Sequence, residues 1–525
     1  MPLFRKPFRL IVLGSLAVAA SLHGQLCTAA QHPQKSDQQK PAAQPSADPG
    51  IQDASKFDPH RPLSQELNTS VPDGFTLIAV GDCIISRPLS QLKAKDPGFA
   101  EALAILSSGD ARYGNMETSI LDMREFPGYT YPGPDDVSLV ADPAVAADMK
   151  AMGFDVVSRA NNHALDWGVE GMRETSKWLN QAGVTWAGVG ESQGLARAAQ
   201  YYNGPKARVA IVSMASTFRP GSDALPALNA APARPGVNSL TVKRTIVVPP
   251  DVMKQLLSIE QKLYPNFHAT LKPDEQVNGL PKKLSLFGAK FELGDHFTYR
   301  YEMDPEDLHG ILRAIRQGKQ NSDFLIATIH SHEPALSTAP EPPNDFADTP
   351  APFLRELAQS AIDAGADAFF VTGIHHFGPI EVYKGKPILY GLGNFFWSDI
   401  QEPMPADQYQ AMRTTLQQAF QHPERATDPD LENLQNASSF AGDPPFESMI
   451  VKTSFSKGKL NQLQIYPIDL GYGKKLSESG IPRVALGEKA QKILQRIQQS
   501  SAALGTEVQM QNETGRAPIG VIAVQ

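Results

Sequence analysis

Short apolar runs recur along the chain, and most are followed at once by side chains that bind cations or move protons. Phe75-Thr-Leu-Ile-Ala-Val80 reads as a buried strand, followed at once by Gly81-Asp82, a carboxylate reached through a glycine and placed to serve as a metal ligand. A short strand after Asp110 ends at Asn115 and Glu117, and Gly153 to Val157 delivers Asn161-Asn162-His163 with Asp166 close behind. Arg208 to Ala215 is a further buried strand. Phe324 to Ile329 ends in His330-Ser331-His332-Glu333, and Ala368 to Val371 in Thr372-Gly373-Ile374-His375-His376. Between these runs the period changes to that of a helix. Asp142-Pro143 opens one helix with the stripe Val145, Met149 and Met152. Val169 to Gln181 is another, with Met172, Thr175 and Leu179 inward and Gly183 as its cap. Asp304-Pro305 starts a third, carrying Leu308, Ile311, Leu312 and Ile315; a fourth buries Leu354, Leu357, Ala361 and Ile362, with Gly365 at its end. Strands alternating with helices predict an α/β fold, whose ligands gather at the strand ends.

The pattern loosens in three places. Residues 31–71 are rich in Gln, Pro, Ala and Ser and read as a disordered linker. Residues 216–321 are punctuated by prolines and read as an elaborated insertion beside the site, while 401–445 are polar and read as a lid or connector. Strands at 448–453 and 463–468 and a helix at 488–498, with Ala490, Ile493 and Ile497 on one face, complete residues 401–525 as a C-terminal α+β extension.

The first thirty residues change the compartment expected. Arg5, Lys6 and Arg9 precede an apolar run from Leu10 to Leu22, and small residues follow at 27–30. That is a secretory signal over residues 1–30, the run being short for a membrane span; an uncleaved N-terminal anchor is the alternative. The expectation is an exported protein, periplasmic or extracellular. Its removal takes three basic and no acidic residues, leaving 45 basic against 56 acidic, a balance of −11. Such a chain does not suit a nucleic-acid partner. Cys83 is then the sole cysteine, so neither a disulfide nor a cysteine-rich metal site is available.

The donors at the strand ends are Asp82, Glu117, Asn162-His163, His330 and His375. Hard oxygen and imidazole donors in that number follow the logic of a two-metal hydrolase, in which a carboxylate bridges two cations that activate water. Arg87 is placed to bind an anion or to pair with Asp82, and Arg234 is a second candidate for an anion.

Together these residues resemble the CapA family, the capsule-synthesis proteins associated with poly-γ-glutamate and grouped with calcineurin-like metallophosphatases. The resemblance rests on Gly81-Asp82 with Arg87, on Gly114-Asn-Met-Glu117 and on Ala160-Asn-Asn-His-Ala-Leu-Asp166 with Gly168. His330 and the run from Ile380 through Gly393-Asn394-Phe395 complete it, so that it covers about residues 72–400. It implies a four-layer αββα sandwich and two divalent ions, with Mn, Fe, Zn and Mg all suited to such donors. Asp82 would hold one ion together with His375, Glu117 would bridge, and Asn162 and His330 would hold the second. His163 would act as acid towards the leaving group, with Asn161, Asp166, Arg87 and Glu333 supporting the ligands or binding substrate. The pattern departs from the family in His330-Ser331-His332, which offers His332 as a substitute ligand, and in the doublet His375-His376.

The functions this implies are a metal-dependent hydrolase of a phosphoester or γ-glutamyl amide in capsule synthesis or export, or a non-catalytic accessory that binds an anionic polymer. An anionic polymer or a phosphorylated small substrate and a membrane-bound capsule synthase complex are the expected partners.

Overall fold

The computed structural model describes residues 69–131, 138–265, 272–335, 349–398, 404–439, 444–512 and 517–524. The expected signal segment 1–30 and nearly all of the expected linker 31–71 lie outside these. Among the described residues no helix is long and apolar enough to cross a membrane.

Two sheets carry the fold. A ten-stranded sheet includes, in order, Lys459–Asp469, Glu447–Ser456, Phe75–Ile85, Ala111–Met116, Val156–Ser158 and Thr185–Ala187. The strand Asn394–Ser398 also joins it, alongside Phe75–Ile85. A six-stranded sheet runs Ile380–Tyr383, Lys386–Leu389, Ala368–Thr372, Phe324–His330, Arg208–Ala215 and Gln200–Asn203. The chain is thus a mixed α/β protein, as its alternating periods predict.

Both faces of the first strand are covered, which is why its apolar run is continuous and does not alternate. Leu77 and Ala79 point to one face, where Tyr113 and Val156 of the same sheet meet Val209, Ile211, Phe324, Ile326 and Phe370 of the other. The Phe75 and Phe324 rings lie 5.4 Å apart, and Tyr113 and Phe370 5.0 Å apart. Truncating such a fully buried ring typically costs about 3–5 kcal/mol. Ile78 and Val80 point the other way, to Phe99, Leu103, Met149 and Leu179 on the helices Pro97–Leu106, Ala144–Met152 and Gly168–Ala182. Beyond the six-stranded sheet, Val212, Met214 and Leu325 pack against Ile311, Ile315, Leu354 and Leu357 of Pro305–Gln320 and Pro352–Ala364.

The structure adds detail at three places. Asp82 does not follow the strand but lies within it: the strand continues through Gly81-Asp82 to Ile85. The insertion holds regular structure, a four-stranded sheet built from residues 242–303 with Met253 of the helix Pro250–Leu263 packed against Val248 and Leu284. Its strands are half-exposed, as in Lys283–Leu286 where exposed and buried positions alternate, so no continuous apolar run announces them. The stretch expected as a lid or connector forms two helices, Ala406–Ala419 and Asp428–Ser439, joined over Met404, Leu416 and Leu431. So few apolar anchors in a glutamine-rich stretch leave almost no periodic signal.

The C-terminal segment belongs to the main core. The helix Gly487–Ala502 inserts Ala490, Ile493, Leu494 and Ile497 beside Leu463 and Ile465, in the cluster between the two sheets.

Candidate metal centre

The C-terminal ends of parallel strands from both sheets meet at one place. Asp82 is fully buried in the first strand, and its position depends on a close approach of backbones. The Asp82 N–H donates to the Gly393 carbonyl at 2.9 Å, and a Cβ on Gly81 would lie 1.8 Å from that same oxygen. Only glycine fits there. The carboxylate is aimed by two donors: Asn115 Nδ2 reaches Oδ1 at 2.8 Å and the Gly373 N–H reaches Oδ2 at 3.1 Å. Asn115 is itself oriented by the Ser158 hydroxyl, which donates to its Oδ1 at 2.6 Å.

Glu117 follows directly on the strand Ala111–Met116 and is 1 % exposed. Neither of its carboxylate oxygens has a hydrogen-bond partner among the described residues. Burial, with the charges of Asp82 and Asp166 added, pushes its pKa well above the usual carboxylate range. A buried carboxyl group left this way costs stability unless a cation meets it.

Two donor groups share that residue. Ligand atoms of Asp82, Glu117 and His375 lie within 4.8 Å of one another, as do those of Glu117, His330 and His332. His330 Nε2 is 3.4 Å from Glu117 Oε1, and His375 Nδ1 is 3.4 Å from Asp82 Oδ2. The Nε2 atoms of His330 and His332 face each other at 3.0 Å, where two lone pairs cannot sit without a proton or cation between them. Burial, followed by the charges of neighbouring histidines, holds His330 well below its ordinary pKa and pulls His332 down to about 3. Asn162 Oδ1 is buried and also lacks a hydrogen-bond partner among the described residues. A partnerless carboxylate, a partnerless amide oxygen and neutral imidazoles are what a pair of divalent cations requires, so the residues fit one.

His163 lies at the rim, its Nδ1 2.8 Å from Asp166 Oδ2 and its Nε2 3.9 Å from Glu117 Oε1. Asn161 steadies this loop from both ends: its Oδ1 accepts from the His163 N–H at 3.1 Å and its Nδ2 donates to the Met116 carbonyl at 2.9 Å. Asp166 accepts from the Leu139 N–H at 2.7 Å and pairs with the buried Arg219 at 3.0 Å.

Other candidates lie elsewhere. Glu333 Oε2 accepts from the hydroxyls of Ser216, Thr217 and Ser331, which ties the insertion to the loop after His330. Arg87 does not pair with Asp82; the strand carries it past Ile85, and it donates to the Ser477 carbonyl at 3.2 Å. Arg234 pairs with Asp223 within the insertion. His376 is buried against Phe377 and bonded to Arg496 of the C-terminal helix, so of the doublet it is His375 that faces Asp82. Sequence reasoning gave no role to Asn115, Ser158 or Arg219. Asn115 alone had a signal, sitting beside Met116-Glu117; the others serve partners far along the chain.

Acid should weaken this architecture. Burial keeps both His332 and His376 at about 3, against about 6.5 in the unfolded chain. Their contribution is whole above pH ~6.5 and is lost as pH falls towards ~3, at up to about 1.4 kcal/mol per pH unit for each. Thermal unfolding followed from pH 7 to 4 should show this decline, with a shallower slope in His376→Asn; an equal slope would exclude His376 as a source.

The profile of a family described as bacterial capsule synthesis protein PGA_cap matches residues 76–398. An uncharacterized protein of Sinorhizobium fredii, y4sH, is 41% identical over 460 residues, covering 85% of this chain and 94% of that protein. The capsule biosynthesis protein CapA of Bacillus anthracis is 23% identical over 323 residues, 61% of this chain and 59% of that one. The PGA biosynthesis protein CapA of Bacillus subtilis is 23% identical over 334 residues, 63% and 65% of the two chains.

Proposed function

The chain belongs to the bacterial capsule synthesis protein family, and from that premise we propose that it is a metal-dependent hydrolase acting in capsule biosynthesis, with a fold of the four-layer metallophosphatase type. The observation that carries this reading is Glu117, buried without a hydrogen-bond partner among the described residues and shared by two groups of donor side chains. Asp82, His375 and Glu117 would hold one divalent ion and Glu117, His330 and His332 the other; Asn162, whose buried Oδ1 lacks a hydrogen-bond partner among the described residues, is a further candidate ligand. The chemistry such a pair supplies when bound is Lewis-acid activation of water and neutralisation of charge at the attacked centre.

The chain's own residues do the rest. Asp166 fixes the proton of His163 on Nδ1 and stabilises the imidazolium, leaving Nε2–H to protonate a leaving group. Arg219 and the Leu139 N–H hold the Asp166 carboxylate in place. Asn115 and Gly373 hold the Asp82 carboxylate in its orientation, so little reorganisation accompanies ion uptake. The substrate is a phosphoester or a γ-glutamyl amide of an anionic polymer, met on the outer side of the membrane; the N-terminal pattern and the capsule names of the Bacillus relatives support that placement.

The test is to purify the whole chain, measure bound metal, and assay a simple phosphodiester and a γ-glutamyl oligomer with added manganese. About two ions per chain, and turnover that a chelator removes and manganese restores, are expected. A protein that holds its ions yet turns over neither substrate would instead be a non-catalytic accessory that binds polymer.

A further inference from the structure

Asn394 opens the strand Asn394–Ser398, which runs parallel to Phe75–Ile85 with Asn394 in register with Asp82. It is fully buried. One end of its amide is anchored away from the cluster: Nδ2 donates to the Pro445 carbonyl at 2.9 Å and approaches the His375 carbonyl at 3.4 Å. The opposite orientation would set the amide oxygen against those carbonyls, so Oδ1 must point inward. There it lies 2.9 Å from His375 Nδ1, the nitrogen that is also 3.4 Å from Asp82 Oδ2. His375 is held in this arrangement by a left-handed backbone, φ 51°, a conformation that costs a non-glycine residue about 1–2 kcal/mol.

We infer that Asn394 is itself a ligand, its amide oxygen completing the cation site of Asp82, Glu117 and His375. The inference rests on the two-cation reading above. Without an ion, His375 Nδ1 carries a proton and donates it to Asn394 Oδ1. When Nδ1 turns its lone pair to a cation the ring takes its other neutral tautomer, with the proton on Nε2, and the Asn394 oxygen, pinned through Pro445, cannot rotate away. Two lone pairs at 2.9 Å would then repel unless the same cation receives both. The spacing suits that: ligand atoms at right angles, each about 2.1 Å from a cation, lie about 3 Å apart. Pro445 lies beyond the stretch matched by the family profile, so the C-terminal part of the chain sets the orientation of this ligand.

The competing arrangement has His375 coordinating through Nε2, with Nδ1–H donating to an Asn394 that touches no ion. Zinc-loaded protein labelled with ¹⁵N-histidine separates the two, the His375 signals being assigned by their loss in His375→Gln. Coordination through Nδ1 is expected; coordination through Nε2 overturns the inference while leaving the two-cation reading intact. Calorimetric titration of the metal-free chain with zinc gives a second readout. Asn394→Ala should weaken one site by about 10–100-fold or more and leave the other unchanged, which also shows that the variant is folded. Two sites of wild-type affinity in Asn394→Ala would overturn the inference. A wild-type chain that takes up no zinc would overturn the two-cation reading, and this with it.

Discussion

Replacing Glu117 by glutamine is expected to stabilise the metal-free protein and to abolish the stabilisation it gains from divalent cations. In the metal-free state a buried carboxyl group with neither oxygen hydrogen-bonded faces the charges of Asp82 and Asp166. An unsatisfied buried polar group costs about 1–3 kcal/mol, more when charged. Because its folded-state pKa is raised, its stabilising share is whole below about pH 4.3, the unfolded value, and is lost as pH rises towards the folded one. The advantage of glutamine therefore grows with pH above about 4.3. Glutamine cannot bridge two cations as a carboxylate does, so the other half of the effect has the opposite sign. A ligand present at a hundred times its dissociation constant stabilises wild type by about 2.7 kcal/mol, and the variant should gain little. Thermal unfolding of both proteins at pH 8, in chelator and in manganese, measures the two halves at once. A variant less stable than wild type in chelator would contradict this account of Glu117.

The second large effect is kinetic. His163→Ala should lower turnover about 10²–10⁴-fold, the usual worth of a positioned general acid, while leaving bound metal unchanged. His163 belongs to neither donor group, and its ring is held by Asp166. Asp82→Ala should behave differently, losing metal and activity together, since Asp82 contributes directly to one group. The contrast between the two variants, read by metal analysis beside the assay, separates proton transfer from ion binding. A His163→Ala protein with full turnover would remove His163 from the chemistry.

Much of the fold was legible because its strands are buried on both faces. Phe75–Ile85 and Phe324–His330 show up as unbroken apolar runs, and the helix Gly168–Ala182 as a clear amphipathic stripe. The insertion's sheet and the helix pair at 406–439 did not show, because their small cores need only a few apolar residues each. The donors were legible for a related reason: Asp82, Glu117, His330 and His375 each stand at or just past an apolar strand. His332 was readable only as an alternative, and Asn394 only as part of a motif without a role.

From the sequence alone came the alternation of strands and helices, the donor types available for a hard cation, and the absence of a cysteine site. What only the tertiary structure decided is which donors meet: that His375 faces Asp82 while His376 is drawn to Arg496, that Arg87 and Arg234 point to other partners, and that Glu117 is left without a hydrogen bond among the described residues. The physical reason is reach. A side chain's period along its own strand or helix is written locally, but its partners here stand on other strands and on the C-terminal helix, and only sheet register and packing bring those within bonding distance.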